Sequence, residues 1–205
     1  PVETRAPAVT GVLASVCTSR ETGAASGSRA DTPAAVLAAC AEALLTLLAG
    51  LEADGRASAA SGIVFVDDGS IDRTWELIEG IAAAHPGRIA AIRLSRNMGH
   101  QPALLAGLML APGDVLISID ADLQDDVAVI PRMLDRYRQG CELVFGVRDD
   151  RASDSVYKRW TAAAFYRLMR AVANIDIPLD AGDFSVMSRR VARMLCNMPE
   201  RHRFL

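Results

Sequence analysis

The chain has 205 residues, 51% of them hydrophobic and 23% charged, which is enough apolar side chain for one domain with a core and too much for a disordered tail. Its net charge of −3 divides unevenly: residues 1–147 carry 11 basic and 18 acidic side chains, residues 148–205 carry 11 and 7. An acidic body and a basic C-terminal quarter without a nucleic-acid-binding motif argue against a nucleic-acid partner, and suggest that the last quarter meets something anionic.

From the N-terminus, "VTGVLASV" predicts a first strand, and the Gly/Ser/Ala-rich "TSRETGAASGSRADT" after it a loop. Pro33 opens a long helix closed by "ADGRASAASG"; Leu37, Leu44, Leu48 and Leu51 recur at helical spacing. Glu42 near its middle and its many small residues favour a core-facing soluble helix over a membrane span. "IVFV" (63–66) is a short buried strand stopped by "DDGS", followed by a helix bearing Trp75, Leu77, Ile78 and Ile81. A strand is expected at 89–94, a helix at 102–110 behind Pro102, a strand at 114–119, a helix near 127–139, a strand at 142–147 and a long helix near 155–173. Strands alternating with helices at this spacing predict an α/β fold with a mostly parallel sheet covered on both faces. Cys17, Cys40, Cys141 and Cys196 lie far apart with no C-x-x-C pair, so buried free thiols are expected rather than disulfides or a zinc site. No signal peptide is evident at the N-terminus.

In such sheets ligands bind beyond the carboxyl ends of the strands. Polar clusters follow four strands there: Asp67–Asp68, Arg96–His100, Asp120–Asp126 and Arg148–Arg151. The third, in "VLISIDADLQDD", sets Asp120 and Asp122 one residue apart at a strand end, where like charges raise each other's pKa unless a cation lies between them. A hard divalent ion, Mg²⁺ or Mn²⁺, shared with a substrate's phosphates resolves that conflict, with Gln124 as a third oxygen ligand. A solvated acidic turn with Asp125 or Asp126 capping the next helix fits an isolated D-x-D as well. Phosphatases of the haloacid dehalogenase type also place D-x-D at a strand end, but usually with Thr or Val where Gln124 stands. A nucleotide-sugar site remains, in which a metal bridges the diphosphate.

"VFVDDGSIDRT", "LSRNMGHQPALLAGL", "ISIDADLQDD", "GVRDDR" and "GDFSVMSRR", in this order and with these gaps, resemble glycosyltransferase family 2, and within it the polyprenyl-phosphate branch of dolichyl-phosphate mannosyltransferases and bactoprenol glucosyltransferases. The resemblance covers about residues 62–205. It implies a GT-A type fold over a single catalytic domain, residues 1–205, whose first 61 residues are atypical. It implies an inverting transfer of a hexose from a UDP- or GDP-linked sugar to polyprenyl phosphate at the cytoplasmic face of the cell membrane.

On matching positions, the resemblance implies that Asp67 and Asp68 help hold the nucleotide and that Arg96, Asn97 and Gly99 lie near the donor. Asp120, Asp122 and Gln124 match the metal ligands, and Asp120 also the donor site. Asp183 matches the acceptor side of the sugar, either as a base or orienting group or as a structural hydrogen bond at a helix start. Asp122, Asp183 and Arg148 are the residues expected to act in catalysis. His100 reads as a loop or helix-start residue.

A lipid phosphate is already anionic, so its enzyme must gather cations rather than remove a proton. Arg148, Arg151, Lys158 and Arg159 fit that need. The helix "SVYKRWTAAAFYRLMRAV" carries Val156, Trp160, Ala164, Leu168 and Val172 every four residues, a pattern that suits a membrane interface or an ordinary packed helix. The terminal "ERHRFL" resembles the segment that precedes a pair of membrane helices in many members, so the chain is expected to stop just before them.

Two stretches depart from the family. "ASVCTSRET" replaces the Pro-Val-Tyr-Asn-Glu-like turn, with Glu21 as a loose counterpart, and "DDVAVIP" replaces a double proline. Transfer to a saccharide acceptor and a non-catalytic nucleotide-binding domain remain alternatives, and self-association into a homo-oligomer is left open.

Overall fold

The computed structural model describes residues 12–16, 33–147 and 181–198. Six strands form one sheet: β1 (Val12–Val16), β2 (Ile63–Asp67), β3 (Ile89–Arg93), β4 (Val115–Asp120), β5 (Leu143–Val147) and β6 (Ala181–Ser188), in the spatial order β3-β2-β1-β4-β6-β5. The helices are α1 (Pro33–Ala53), α2 (Thr74–Ala84), α3 (His100–Leu110), α4 (Ile130–Arg138) and α5 (Arg189–Asn197), with a 3-10 turn at Val127–Val129 leading into α4.

Alternation along the strands explains the layering, because successive side chains of a strand point to opposite faces. Ile63, Phe65, Ile117, Ile119 and Val186 join Leu37, Cys40, Leu44, Leu48 and Leu51 of α1, Ile78 of α2, and Ile130, Met133 and Leu134 of α4 in one core. Val64, Val66, Leu116 and Met187 form a second with Ala103, Leu104 and Leu108 of α3 and Ala192 of α5. The sheet is therefore sandwiched, buried on both sides as parallel sheets require. Among the described helices α1 alone is long and apolar enough to cross a membrane, yet its leucine stripe is buried in the first core. Its end is tied to the start of β3 by Arg88, which pairs with Glu52 at 2.7 Å and donates to Ser61 O at 3.0 Å. Burial pushes the Cys40 thiol up to about 12, so this cysteine is the inert thiol expected.

Four expectations need correction. Cys141 is exposed, because it lies in the turn that enters β5 rather than in the strand. Helix α3 begins at His100, so Pro102 is its third residue and still within the first turn, where a missing N–H costs nothing. A sixth strand, absent from the sequence reading, occupies 181–188 and runs antiparallel to both β4 and β5, from Val115↔Ser188 to Ser118↔Ser185 on one side. Asp183 accordingly sits in a strand and not at a helix start. The helix start nearby is Ser188, whose Oγ accepts from Val191 N at 3.1 Å to cap α5. The predicted helix at 155–173, and the loop at 18–32, lie outside the described residues.

The order reverses at β1, which pairs with β2 on one side and β4 on the other. The register sets Val16 opposite Asp67 and Ser15 opposite Asp120, so the two acidic strand ends flank the end of β1 at one level of the same rim. Such a switch point is where open α/β sheets hold their ligands.

Candidate active site

The floor of the site is built by two interlocked loops. Asp67 and Asp68 are fully buried, and a buried carboxylate is tolerable only when hydrogen-bonded and paired. Asp67 accepts from the Ser70 amide at 3.2 Å and from the Ser70 hydroxyl, closing the "DDGS" turn. Arg93 stands 3.5 Å from it, donates to Ser70 O at 3.2 Å, and lies over the Trp75 ring at 5.5 Å from the centroid. Asp68 reaches the other way: its two oxygens accept from the amides of Met98 (2.7 Å) and Gly99 (2.8 Å), pinning the "RNMG" loop. Gly69 has φ +68, and a side chain there would overlap the Arg96 backbone. Gly99, at φ +96, turns that loop into α3. Arg96 and Asn97 are exposed on the loop so fixed. The structure thus gives both aspartates a positioning role.

Against this floor stands the end of β4. Burial pushes the Asp120 carboxyl above the ordinary range; His100 opposes the rise, and the negative charges of Asp122, Asp183 and Asp125 add to it. Asp122 Oδ1 accepts from Gln124 N at 3.0 Å and Asp126 Oδ1 from Ala128 N at 2.9 Å, so Asp126 is the cap of the following 3-10 turn. Between them Leu123 holds φ +59, a conformation that L side chains avoid and that concentrates at functional loops.

The third wall is Asp183 on β6. Its carboxylate meets His100 Nε2, and the same ring presents Nδ1 at 3.9 Å from Asp120 Oδ1. Ser118 Oγ donates to Asp183 O at 2.5 Å and lies 2.8 Å from Ser185 Oγ.

Asp120, Asp183 and His100 therefore converge, Asp122 lies near enough for its charge to act on Asp120, and Gln124 gives its backbone amide to Asp122. Among the described residues no three His, Cys, Asp or Glu side chains meet at one metal position. Two crowded carboxylates whose charge is incompletely neutralised nonetheless fit a divalent ion that takes its remaining ligands from phosphate and water. Arg148, Arg151 and Lys158, expected to hold an acceptor phosphate, lie outside the described residues, as does Glu21. A depression of about 490 Å³ between the end of α3 and α5, lined by Leu108, Arg189 and Arg193 among others, opens on the opposite rim and has no part in this cluster.

The sequence profile of Glycosyl transferase family 2 matches residues 35–195, most of the chain. The chain belongs to that family. Similar sequences include the uncharacterized glycosyltransferase YkoT of Bacillus subtilis, 46% identical over 147 residues covering 71% of this chain and 43% of the relative. A prophage bactoprenol glucosyl transferase homolog of Escherichia coli is 42% identical over 143 residues, 70% of this chain and 46% of that one. The bactoprenol glucosyl transferase of Shigella phage SfX is 41% identical over 143 residues, 70% and 47%. The chain thus spans less than half the length of these relatives. In fold it is similar to a mannosyltransferase from Pyrobaculum calidifontis solved with GDP-Man and Mn²⁺ (TM-score 0.55, 16% identity, 93% of this chain and 47% of that one). A glucosyl-3-phosphoglycerate synthase from Mycobacterium tuberculosis, solved with Mn²⁺, UDP-glucose and phosphoglyceric acid, gives 0.54 at 19% identity, over 89% and 58%. These likenesses bear out the GT-A fold expected of family 2.

Sequence reasoning missed the company that His100 keeps. The signal for it lay in "GDFSVMS", whose alternation of Phe184 and Val186 with Asp183 and Ser185 is that of a strand with one apolar face. A strand there, paired with β4, brings Asp183 to the rim where α3 begins.

Proposed function

We propose that this family 2 member transfers a hexose, with inversion, from a UDP- or GDP-linked sugar to polyprenyl phosphate at the cytoplasmic face of a membrane. The observation that carries this is the carboxylate crowd at the end of β4, where burial and like charge leave Asp120 in need of a cation. The 41–42% identity to bactoprenol glucosyl transferases supports the acceptor.

Asp120 and Asp122 would hold Mg²⁺ or Mn²⁺, with the side-chain oxygen of Gln124 as a further ligand. The ion, when bound, supplies positive charge to the departing diphosphate. The loops pinned by Asp67 and Asp68 frame the nucleotide, with Arg96 toward the donor. An oxygen of the lipid phosphate attacks the anomeric carbon while the bond from that carbon to the nucleoside diphosphate breaks, so one nucleoside diphosphate leaves and no proton need be removed from the acceptor. Arg148, Arg151 and Lys158 hold that phosphate in line, and Asp183 orients the acceptor side of the sugar.

The test is a panel of nucleotide sugars with Mn²⁺ or Mg²⁺, scored by thermal shift and by transfer to a short polyprenyl phosphate. One donor is expected to raise the melting temperature and to be consumed. No shift with any donor overturns the proposal. Loss of activity in Asp183→Asn with little effect of Arg148→Ala would point instead to a hydroxyl acceptor that needs a base.

A further inference from the structure

His100 is the first residue of α3, and the residue before it is pinned through its amide to buried Asp68. The ring is therefore delivered to the rim from a fixed backbone. There its Nε2 contacts Asp183 Oδ2, and its Nδ1 lies 3.9 Å from Asp120 Oδ1. A carboxylate only accepts hydrogen bonds, so a pairing of ring and carboxylate requires a proton on the nitrogen that faces Asp183.

The strands explain why a third element is needed. Pairing of β4 with β6 stops at Ser118↔Ser185; continued by two residues, the register would set Asp120 directly against Asp183. Two carboxylates facing each other across a ladder repel. Instead, the ladder ends early, Ser118 Oγ takes the Asp183 carbonyl, and the imidazole contacts the Asp183 carboxylate while lying close to Asp120. Asp183 is thereby held at two points, its backbone by β4 and its side chain by α3.

We infer that His100 is a positioning residue of the transfer reaction: it fixes Asp183 and sets the separation between the carboxylate on the acceptor side and Asp120 on the donor side. This rests on the glycosyl transfer proposed above. His100 acts through Asp183 and touches neither the sugar nor the nucleotide. An amide N–H of suitable reach is expected to replace it in part.

The experiment combines kinetics with a readout independent of turnover. In His100→Ala, with folding verified by circular dichroism, kcat is expected to fall about 10- to 100-fold while the donor KM stays within about twofold, as for loss of a hydrogen bond to a charged group that orients a reacting partner. His100→Gln recovers part of kcat, and serves as the test variant should the alanine form not fold. Because the two residues act as one unit, His100→Ala placed in an Asp183→Asn background costs less than about twofold further. Independently, the imidazole ¹⁵N–¹H signals of His100 shift on Asp183→Asn in the protein without donor or metal. An unmoved ring signal, a kcat within about twofold of the parent in His100→Ala, or a loss that falls wholly on donor affinity overturns the inference. If the parent turns over no donor while the ring signal still answers to Asp183→Asn, the transfer reading fails and the pairing of His100 with Asp183 stands.

Discussion

Replacement of Asp68 by Asn tests how the floor of the site is held. Asp68 is fully buried and accepts two backbone N–H groups, at 2.7 and 2.8 Å, one on each oxygen. Hydrogen bonds to a charged group are worth about 1.5–3 kcal/mol each. Asn keeps one oxygen and turns an NH₂ group toward the other amide, so one bond is lost and two donors confront each other. The neutral side chain escapes the desolvation of a carboxylate, which offsets part of that loss. The expected net cost is about 1.5–3 kcal/mol, set against a total stability of about 5–15 kcal/mol for a domain. With a urea slope of about 2 kcal/mol/M, the unfolding midpoint falls by roughly 1 M. Hydrogen exchange at the Met98 and Gly99 amides, protected in the parent, accelerates at least about tenfold. A midpoint within about 0.2 M of the parent, together with unchanged exchange at those two amides, would refute the view that this carboxylate staples the loop.

Other perturbations separate stability from chemistry. Asp120→Asn removes one of the crowded carboxylates: at 100 times the parent's Kd, Mn²⁺ should stabilise the parent by about 2.7 kcal/mol, a rise of about 5–10 °C in Tm, and the variant hardly at all. In metal-free protein the raised Asp120 carboxyl binds its proton more tightly folded than unfolded, so its contribution is present below the ordinary value of 3.8 and is lost as pH rises through the raised one. The parent-minus-variant difference in Tm should therefore decline across that interval, and a rising difference would reverse the sign of the argument. Gly69→Ala should cost at least about 2 kcal/mol, because a left-handed backbone and overlap with the Arg96 backbone act together, and should weaken donor binding with it. Arg189 donates to the carbonyls of Leu108, Ala111 and Gly113 at the far end of α3; Arg189→Ala should lower stability by about 1.5–3 kcal/mol and leave kcat unchanged, with Lys a poor substitute for its fork.

Much of the fold was legible because its period-2 and period-3.6 signals were local. Pro33 and the leucines of α1 marked one helix, and the apolar runs at 63–66 and 114–119 marked two central strands. The crowding of carboxylates at the end of β4 was legible for a related reason, since no strand needs such a cluster for its own sake. The antiparallel strand was not, because in "GDFSVMSRR" Ser188 cuts short the apolar face of Phe184 and Val186, Met187 adds an apolar side chain to the other face, and the stretch drew attention as a motif rather than a period. Placing Asp183 without that strand left His100 with no visible partner. The roles of Asp67 and Asp68 were half legible: a turn was foreseen at Gly69–Ser70, but the reach of Asp68 to amides 30 and 31 residues away is a tertiary fact.

The reversed direction of β6 has an architectural corollary. The last residue of β5, Val147, stands opposite the first of β6, Ala181, so the two chain ends that bracket 148–180 lie side by side on the rim, two residues from Asp183. On the acceptor role proposed for Arg148, Arg151 and Lys158, a lineage can exchange acceptors by rewriting the sequence between those two ends, while the register of β4, β6 and β5 keeps Asp120 and Asp183 in place.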